Sequence, residues 1–489
     1  MTTKPVCVGG KVAVLAMTAS VFAGEPIQIG SRLELMVDRC LIDQMTDEAQ
    51  MRLHRPVRRA VAIVHDQPWE GNNSAYHTVF QDGERYRMYY RGRQLDLTGN
   101  KLKFPHREVI CYAESPDGIR WTKPKLGLID FDGSKDNNIV WDGHGGHNFA
   151  PFKDANPSCS PDARYKALGG SKAEGGLFAF KSPDGIHWSL MSEKPVVTKG
   201  YFDSQNLAFW DPIRNQYREY HRDFRDGRDI KTATSKDFLH WTEPVWLEYT
   251  KGRITQLYTN QITLYPRAPH IFLGFPTRYV AGRGFLTPFN EQIARTSKRF
   301  GTDYTDGGFM TSRDGRRFDV WPEAFIRPGP VSAGRWMYGA NYQNWGLVET
   351  KSSIPGAPNE LSMYASEGGW VGTSNQMRRL TLRIDGFVSI EAPLSGGAFV
   401  TKPLVFEGKT LVVNFSTSAA GSVRVEIQGQ DGKPIEGYAL ADCPEVFGDD
   451  LERAVTWKRG GDVSSLAGKA IRLRFVMKDA DVYAFRFRK

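Results

Sequence analysis

Between roughly residues 75 and 390 the chain alternates apolar and polar positions over short runs that break at Gly, Pro, Asn and Asp. The stretch YHTVFQDGERYRMYYRG holds two such runs around Asp82-Gly83. A period of two predicts strands, and Asp-Gly predicts a reversal, because glycine accepts the positive φ of a tight turn. The same scheme recurs in HNFAPFKDANPSCSPDARYKALGG, in QNLAFWDPIRNQYREYHRD and in QITLYPRAPHIFLGFPTRY.

A second pattern sits downstream of each hairpin. The chain reads SPDGIRW at Ser115, SPDGIHW at Ser182, SKDFLHW at Ser235 and SRDGRRF at Ser312, each after a strand-like run such as VICYAES or GLFAFKS. Each copy is expected to join the third and fourth strands of a small antiparallel sheet, with its Trp or Phe filling a gap between sheets. NWGLVETKSSIPGAPNELSMYASEG and MRRLTLRIDGFVSI supply a fifth unit, turning at Asp385-Gly386. Five four-stranded units in succession predict an all-β, five-bladed β-propeller; a two-sheet sandwich is the alternative.

After residue 390 the strands lengthen. LVFEGKTLVVNFST, GSVRVEIQ, KAIRLRFVMK and DVYAFRFRK predict four strands of a C-terminal β-sandwich. Ahead of the propeller, LIDQM followed by TDEAQMRL suggests a short helix capped by Thr46 or Asp47. The expected organisation is therefore a leader over 1–23, an N-terminal extension over 24–66, the propeller over 67–390 and the sandwich over 391–489. The leader is read from two early lysines, the apolar run VAVLAMTASVFA and small residues ending at Ala23. It implies export to the periplasm or the outside, and the run is too short to span a bilayer.

Composition narrows the partners. The 489 residues carry a formal charge of +9 with basic and acidic side chains interspersed, which favours an anionic ligand and lacks the basic stripe of a nucleic-acid reader. The five cysteines show no CxxC spacing, and no HExxH, P-loop or GxSxG is present, so no metal site or cofactor is expected. HGGH at His144 and His147 finds no matching third ligand.

The succession of five blade-like units, the sandwich and the acids placed before inner strands resembles the glycoside hydrolases of families 32, 43 and 68 and exported family-32-like bacterial proteins. The resemblance implies a secreted enzyme acting on a carbohydrate in an axial pocket. The WMNDPNG-like motif, the Arg-Asp-Pro triplet and the Glu-Cys pair of family 32 are missing, so no catalytic residue is carried over.

Candidate residues follow instead from position. In a propeller the first strand of each blade begins, the second ends and the third begins at the rim around the axis. Glycoside cleavage takes two carboxyl groups whose pKa values are driven apart. Glu70, Asp203 and Glu367 stand at such rim positions, with Asp203 as base or nucleophile, Glu367 as proton donor, and Glu70 as base or tuning charge. His77, Arg91, His147, Asn206, Arg222, Asp223, Arg278, Asp306 and Trp345 are the expected substrate contacts. The arginines fit a sulfated or uronic glycan, or else pair with Glu108, Asp223 and Asp306 in the rim. A noncatalytic glycan-binding protein and a polysaccharide lyase remain as other readings of the same scaffold.

Overall fold

A computed structural model describes residues 25–489 except 98, 100, 254 and 371. The expected leader over 1–23, with Cys7, lies outside the described residues. The rest is nearly all β.

Five short strands come first: β1 (Ile27–Gly30), β2 (Glu34–Leu35), β3 (Ile42–Asp47), β4 (Gln50–Leu53) and β5 (Val57–His65). Sheet I follows, with β6 (Ala75–Asp82), β7 (Arg85–Gly92), β8 (Val109–Ser115) and β9 (Ile139–Trp141). Sheet II has β10 (Ala150–Lys153), β11 (Tyr165–Ser171), β12 (Gly176–Ser182) and β13 (Ser189–Leu190). Sheet III has β14 (Leu207–Asp211), β15 (Gln216–Phe224), β16 (Arg228–Ser235) and β17 (Val245–Trp246).

The fourth region is broken into two ladders. In chain order it runs through β18 (Glu248–Tyr249), β19 (Gln256–Leu257), β20 (Thr263–Tyr265), β21 (Ala268–Gly274) and β22 (Thr277–Val280). It continues with α1 (Pro288–Ala294), α2 (Lys298–Thr302), β23 (Tyr304–Gly307), β24 (Met310–Ser312) and β25 (Arg317–Val320). One ladder is β18-β25-β24-β21-β20 and the other β19-β22-β23, so the two helices interrupt a long hairpin. Thr287 and Asn290 close a reciprocal capping box at the start of α1, with Pro288 in its first turn. Sheet V comprises β26 (Val348–Thr350), β27 (Glu360–Glu367), β28 (Asn375–Arg383) and, as its fourth strand, β5 from the N-terminus. The segment expected as an extension thus supplies the strand that completes the last sheet.

The remaining strands are β29 (Val388–Ala392), β30 (Gly397–Thr401), β31 (Leu404–Phe406), β32 (Thr410–Gly429), β33 (Asp449–Ala454) and β34 (Ala470–Arg488). With β1 to β4 they form a ten-stranded network centred on β34. The four strands expected here are two long ones, β32 and β34, each running past an irregularity near Thr417–Ser422. The short helix expected around Thr46 is instead the pair β3 and β4, turning at Asp47 with φ +57°. Their backbones pair with β30 and β29, while Met45, Ala49 and Met51 pack on the C-terminal core. Tertiary partners override the local helical pattern.

The repeated phrase acts as expected, following the third strand of each of the first four sheets. In each copy the Ser Oγ accepts two backbone N–H groups and the Asp Oδ1 accepts two more, as with Ser182 (2.8 and 3.3 Å) and Asp184 (2.8 and 2.9 Å). The carbonyl of the following residue then receives a tyrosine from the preceding sheet. Tyr89 donates to Gly185 at 2.8 Å, Tyr220 to Gly315 at 2.7 Å, and Tyr364 to Gly118. Tyr265 uses the Asp385 carboxylate at 2.6 Å. Between sheets II and III the phrase carries Phe238 in place of glycine, and its buried ring packs on Phe152 at 5.7 Å. Contacts therefore pass from I to II, II to III, III to IV, IV to V and V back to I.

Candidate active site

Residues at or just before the first strands of sheets I, III, IV and V meet in a girdle of buried polar side chains. Gln261 Nε2 donates to Gln205 Oε1 at 2.7 Å and to the Gln343 carbonyl at 3.0 Å, and Gln205 Nε2 reaches Thr78 Oγ1 at 3.0 Å. Above this girdle two hollows adjoin. One, of about 290 Å³, is walled by Tyr76, Tyr258, Tyr338, Tyr342, Phe300 and Trp370. The other, of about 390 Å³, is lined by Glu108, Ser171 and Glu174. His147 and Asp203 line both, and so stand at the waist between them.

Asp203 precedes β14, on the residue after Phe202, whose φ of +59° turns the chain here. The fully buried Asn148 fixes that segment. Its Nδ2 donates to the carbonyls of Phe202 (2.6 Å), Ser204 (2.8 Å) and Gly170 (2.8 Å). The Asp203 side chain is 49% exposed, in contrast to the other acids expected to react. Burial would raise its pKa. The imidazole of His147, with Nε2 at 3.8 Å, and the guanidinium of Arg222 at 2.8 Å outweigh burial and hold the carboxyl well below the usual range. Arg222 is itself buried, stacked over Tyr258 at 4.9 Å.

His147 belongs to the turn before β10 and faces Glu108, which precedes β8. Its Nδ1 lies 3.0 Å from Glu108 Oε2. Burial of Glu108 is outweighed by that contact and by Arg91 and Arg93, lowering its pKa to about 2. Arg93 Nε sits 3.1 Å from Glu108 Oε1, and Arg91 packs over the Tyr76 ring at 4.7 Å. Two ionised carboxylates thus flank one imidazole.

Glu70 and Glu367 line neither hollow, which corrects their expected place beside Asp203. Glu70 is fully buried against Lys123 (2.6 Å) and Tyr90 (2.5 Å). Glu367 is enclosed by Arg58, Arg378 (2.7 Å) and Arg335 (3.5 Å). A carboxylate removed from water needs cations around it; Glu70 has acquired Lys123 from a loop, and Glu367 has Arg58 of β5, Arg378 of β28 and Arg335.

Other expected contacts divide in the same way. Arg91, His147 and Arg222 belong to the site. His77 lies deeper, with Nε2 2.8 Å from His65 Nε2, at the floor shared with Gln205 and Gln343. Asn206 is buried and bonds the Phe202 carbonyl, Asp223 pairs with Lys231, and Arg278 with Asp306 through two 2.7 Å contacts. Trp345 is a core residue, donating to the Ile262 carbonyl at 2.9 Å. None of these six expected contacts lines either hollow. Tyr258, Tyr338, Tyr342 and Arg299 line the site without having been singled out as contacts, and Glu108 was expected in the rim but not as a reacting acid. The aromatic–Arg grouping RYRMYYRGR ahead of Glu108 is the one local signal that pointed here.

A larger hollow of about 760 Å³ lies between the β2–β4 segment and the fourth region. Its Arg313 is already committed to Glu34 (2.7 Å) and Asp38 (2.8 Å), so it reads as a joint between the N-terminal strands and the fourth region.

No family model matches this chain. Two uncharacterized proteins of Mycobacterium tuberculosis are 42% identical over 66 residues, a stretch that spans 14% of this chain and 21% of theirs. Among solved structures, an N-acetylgalactosamine deacetylase from F. plautii in complex with blood group B trisaccharide is 13% identical, covering 67% of this chain and 96% of that one at a TM-score of 0.44. The catalytic domain of a Coprinopsis cinerea GH62 alpha-L-arabinofuranosidase is 8% identical, covering 67% and 97% at 0.41. A structure from the GH130 family of mannoside phosphorylases is 15% identical, covering 71% and 96% at 0.38. At these scores nothing about the chemistry of this chain follows from the likeness.

Proposed function

We propose that this protein is a glycan-processing hydrolase that cleaves an O-glycosidic bond at the waist between the two hollows. The observation that carries this reading is the pairing there of the half-exposed, ionised Asp203 with His147, between one aromatic-walled lobe and one polar lobe. Aromatic faces suit the apolar faces of sugar rings, and a lobe on either side accommodates the sugars flanking a scissile bond.

In place of Glu70 and Glu367 the reacting pair is Asp203 and His147, with Glu108 positioning the imidazole. Asp203, held ionised by Arg222, acts as base or nucleophile. Since Glu108 is also ionised, the proton for the leaving oxygen comes from His147, whose Nδ1 is oriented by Glu108 and whose Nε2 faces the waist. The scaffold is read as a five-bladed β-propeller, supported by the contacts that return from sheet V to sheet I, with a C-terminal β-sandwich built around β32 and β34. Export through the leader-like residues 1–23 belongs to the same proposal.

The test is Asp203→Asn assayed on a panel of neutral and charged glycans for release of reducing ends. Turnover is expected to fall by about 10²-fold or more while affinity changes little. Full turnover in this variant removes Asp203 from the reaction, and a parent that binds but never cleaves makes the protein a noncatalytic glycan binder. A polysaccharide lyase is the second reading, favoured by Tyr, His and Arg side chains sharing one wall. Burial raises the hydroxyls of Tyr76, Tyr338 and Tyr342 well above their usual range, which works against a tyrosinate base. Unsaturated products would establish it.

A further inference from the structure

The aromatic-walled hollow carries more positive than negative charge. Arg91, Arg93 and Arg299 line it, whereas Asp203 is its one lining carboxylate among the described residues. Asp203 is engaged by Arg222 from behind, and Glu108, in the neighbouring lobe, is engaged by Arg93 and His147. Arg299 stands apart. Among the described residues no carboxylate lies within 4.0 Å of it. Its guanidinium instead stacks over the rings of Tyr338 at 5.1 Å and Phe300 at 5.3 Å.

Arg299 belongs to α2, inside the helical interruption of the fourth region. That insertion is docked rather than loose. Ile293 and Phe289 pack with Leu95, Leu97 and Leu102 from the loop after β7, and Thr296 Oγ1 donates to the Gly99 carbonyl at 2.8 Å. Arg93 leaves that same loop, stacked on Phe104 at 4.0 Å, with its Nε 3.1 Å from Glu108 Oε1. Arg299 is exposed and Arg93 half-buried, and both line the hollow, so both guanidiniums can meet a ligand there.

We infer that Arg299 and Arg93 form a clamp for an anionic group on the substrate, a carboxylate or a sulfate, and that the helical insertion thereby sets specificity for acidic glycans. The inference rests on the glycan reading of the site. A guanidinium held flat by aromatic faces loses little freedom on binding, and its fork matches two oxygens of either anion.

The experiment is calorimetric titration of the full chain with sets of three related disaccharides: neutral, singly sulfated and uronic. The parent is expected to bind one charged form more tightly than the neutral one, and the stronger arm names the anion. Arg299→Gln should weaken the charged ligand about tenfold or more and leave the neutral one within about twofold. Arg299→Lys, which keeps the charge without the fork, should recover part of the loss. A melting curve checks that each variant is folded, as expected for an exposed side chain. A parent that binds or cleaves neutral and charged members alike overturns the clamp alone, as does an Arg299→Gln variant with unchanged preference. A parent that binds no member of any set overturns the glycan reading and the clamp together.

Discussion

His147 Nδ1 lies 3.0 Å from the Glu108 carboxylate, which fixes the imidazole so that its other nitrogen faces Asp203. Glu108→Gln is therefore expected to act through His147. Turnover should drop about 10²-fold with a shifted pH profile, while KM moves little because Gln keeps the shape of the wall. Steady-state kinetics across pH checks this; an unchanged profile would leave Glu108 a mere ion-pair partner of Arg93.

Glu367 is expected to be structural. Glu367→Ala leaves Arg58, Arg378 and Arg335 facing one another in a site where the carboxylate was 2% exposed. Breaking such a buried pair costs about 3–5 kcal/mol. Denaturant unfolding should show this loss, while turnover per folded molecule stays near that of the parent.

Acid should loosen the joint between β2 and the fourth region. Burial would raise the pKa of Glu34, but His270, Arg313 and Arg32 outweigh it and lower the pKa from 4.5 to about 2. A lowered carboxyl pKa contributes stability that is complete above about pH 4.5 and lost as pH falls through about 2. The contribution is about 3 kcal/mol. Unfolding free energies of the parent should fall over this window, and Glu34→Gln should remove that part of the slope.

The turn phrase is testable at Gly185, where φ is +80° and an added Cβ would meet Tyr89 Oη and Arg87 Nη1 at 2.7 Å. Gly185→Ala is expected to destabilise by more than Tyr89→Phe. The latter removes one of two hydrogen bonds to the Gly185 carbonyl, the other coming from Trp188 Nε1 at 3.1 Å, at a cost of about 0.5–1.5 kcal/mol. Equal melting temperatures for the two variants would deny the phrase its role in joining sheets.

The phrase, the hairpins and the succession of small sheets were legible because their bonds are local. Ser182 and Asp184 satisfy backbone groups within three residues of themselves, so the pattern is written contiguously. β5 was not legible as the strand that completes sheet V, since its partner β28 lies some three hundred positions away and its own alternation is unremarkable.

The acids show where local reading stops. Glu70, Asp203 and Glu367 look alike in the sequence, each isolated among polar and aromatic neighbours near an expected rim. Their fates were decided by residues 53 positions away for Glu70 (Lys123) and 309 for Glu367 (Arg58), which bury and neutralise them, and by Arg222 and His147 for Asp203. The chain alone dictated strands, turns and an abundance of arginine. Folding alone determined which carboxylate kept its access to water, because burial and charge pairing are properties of what comes together in space.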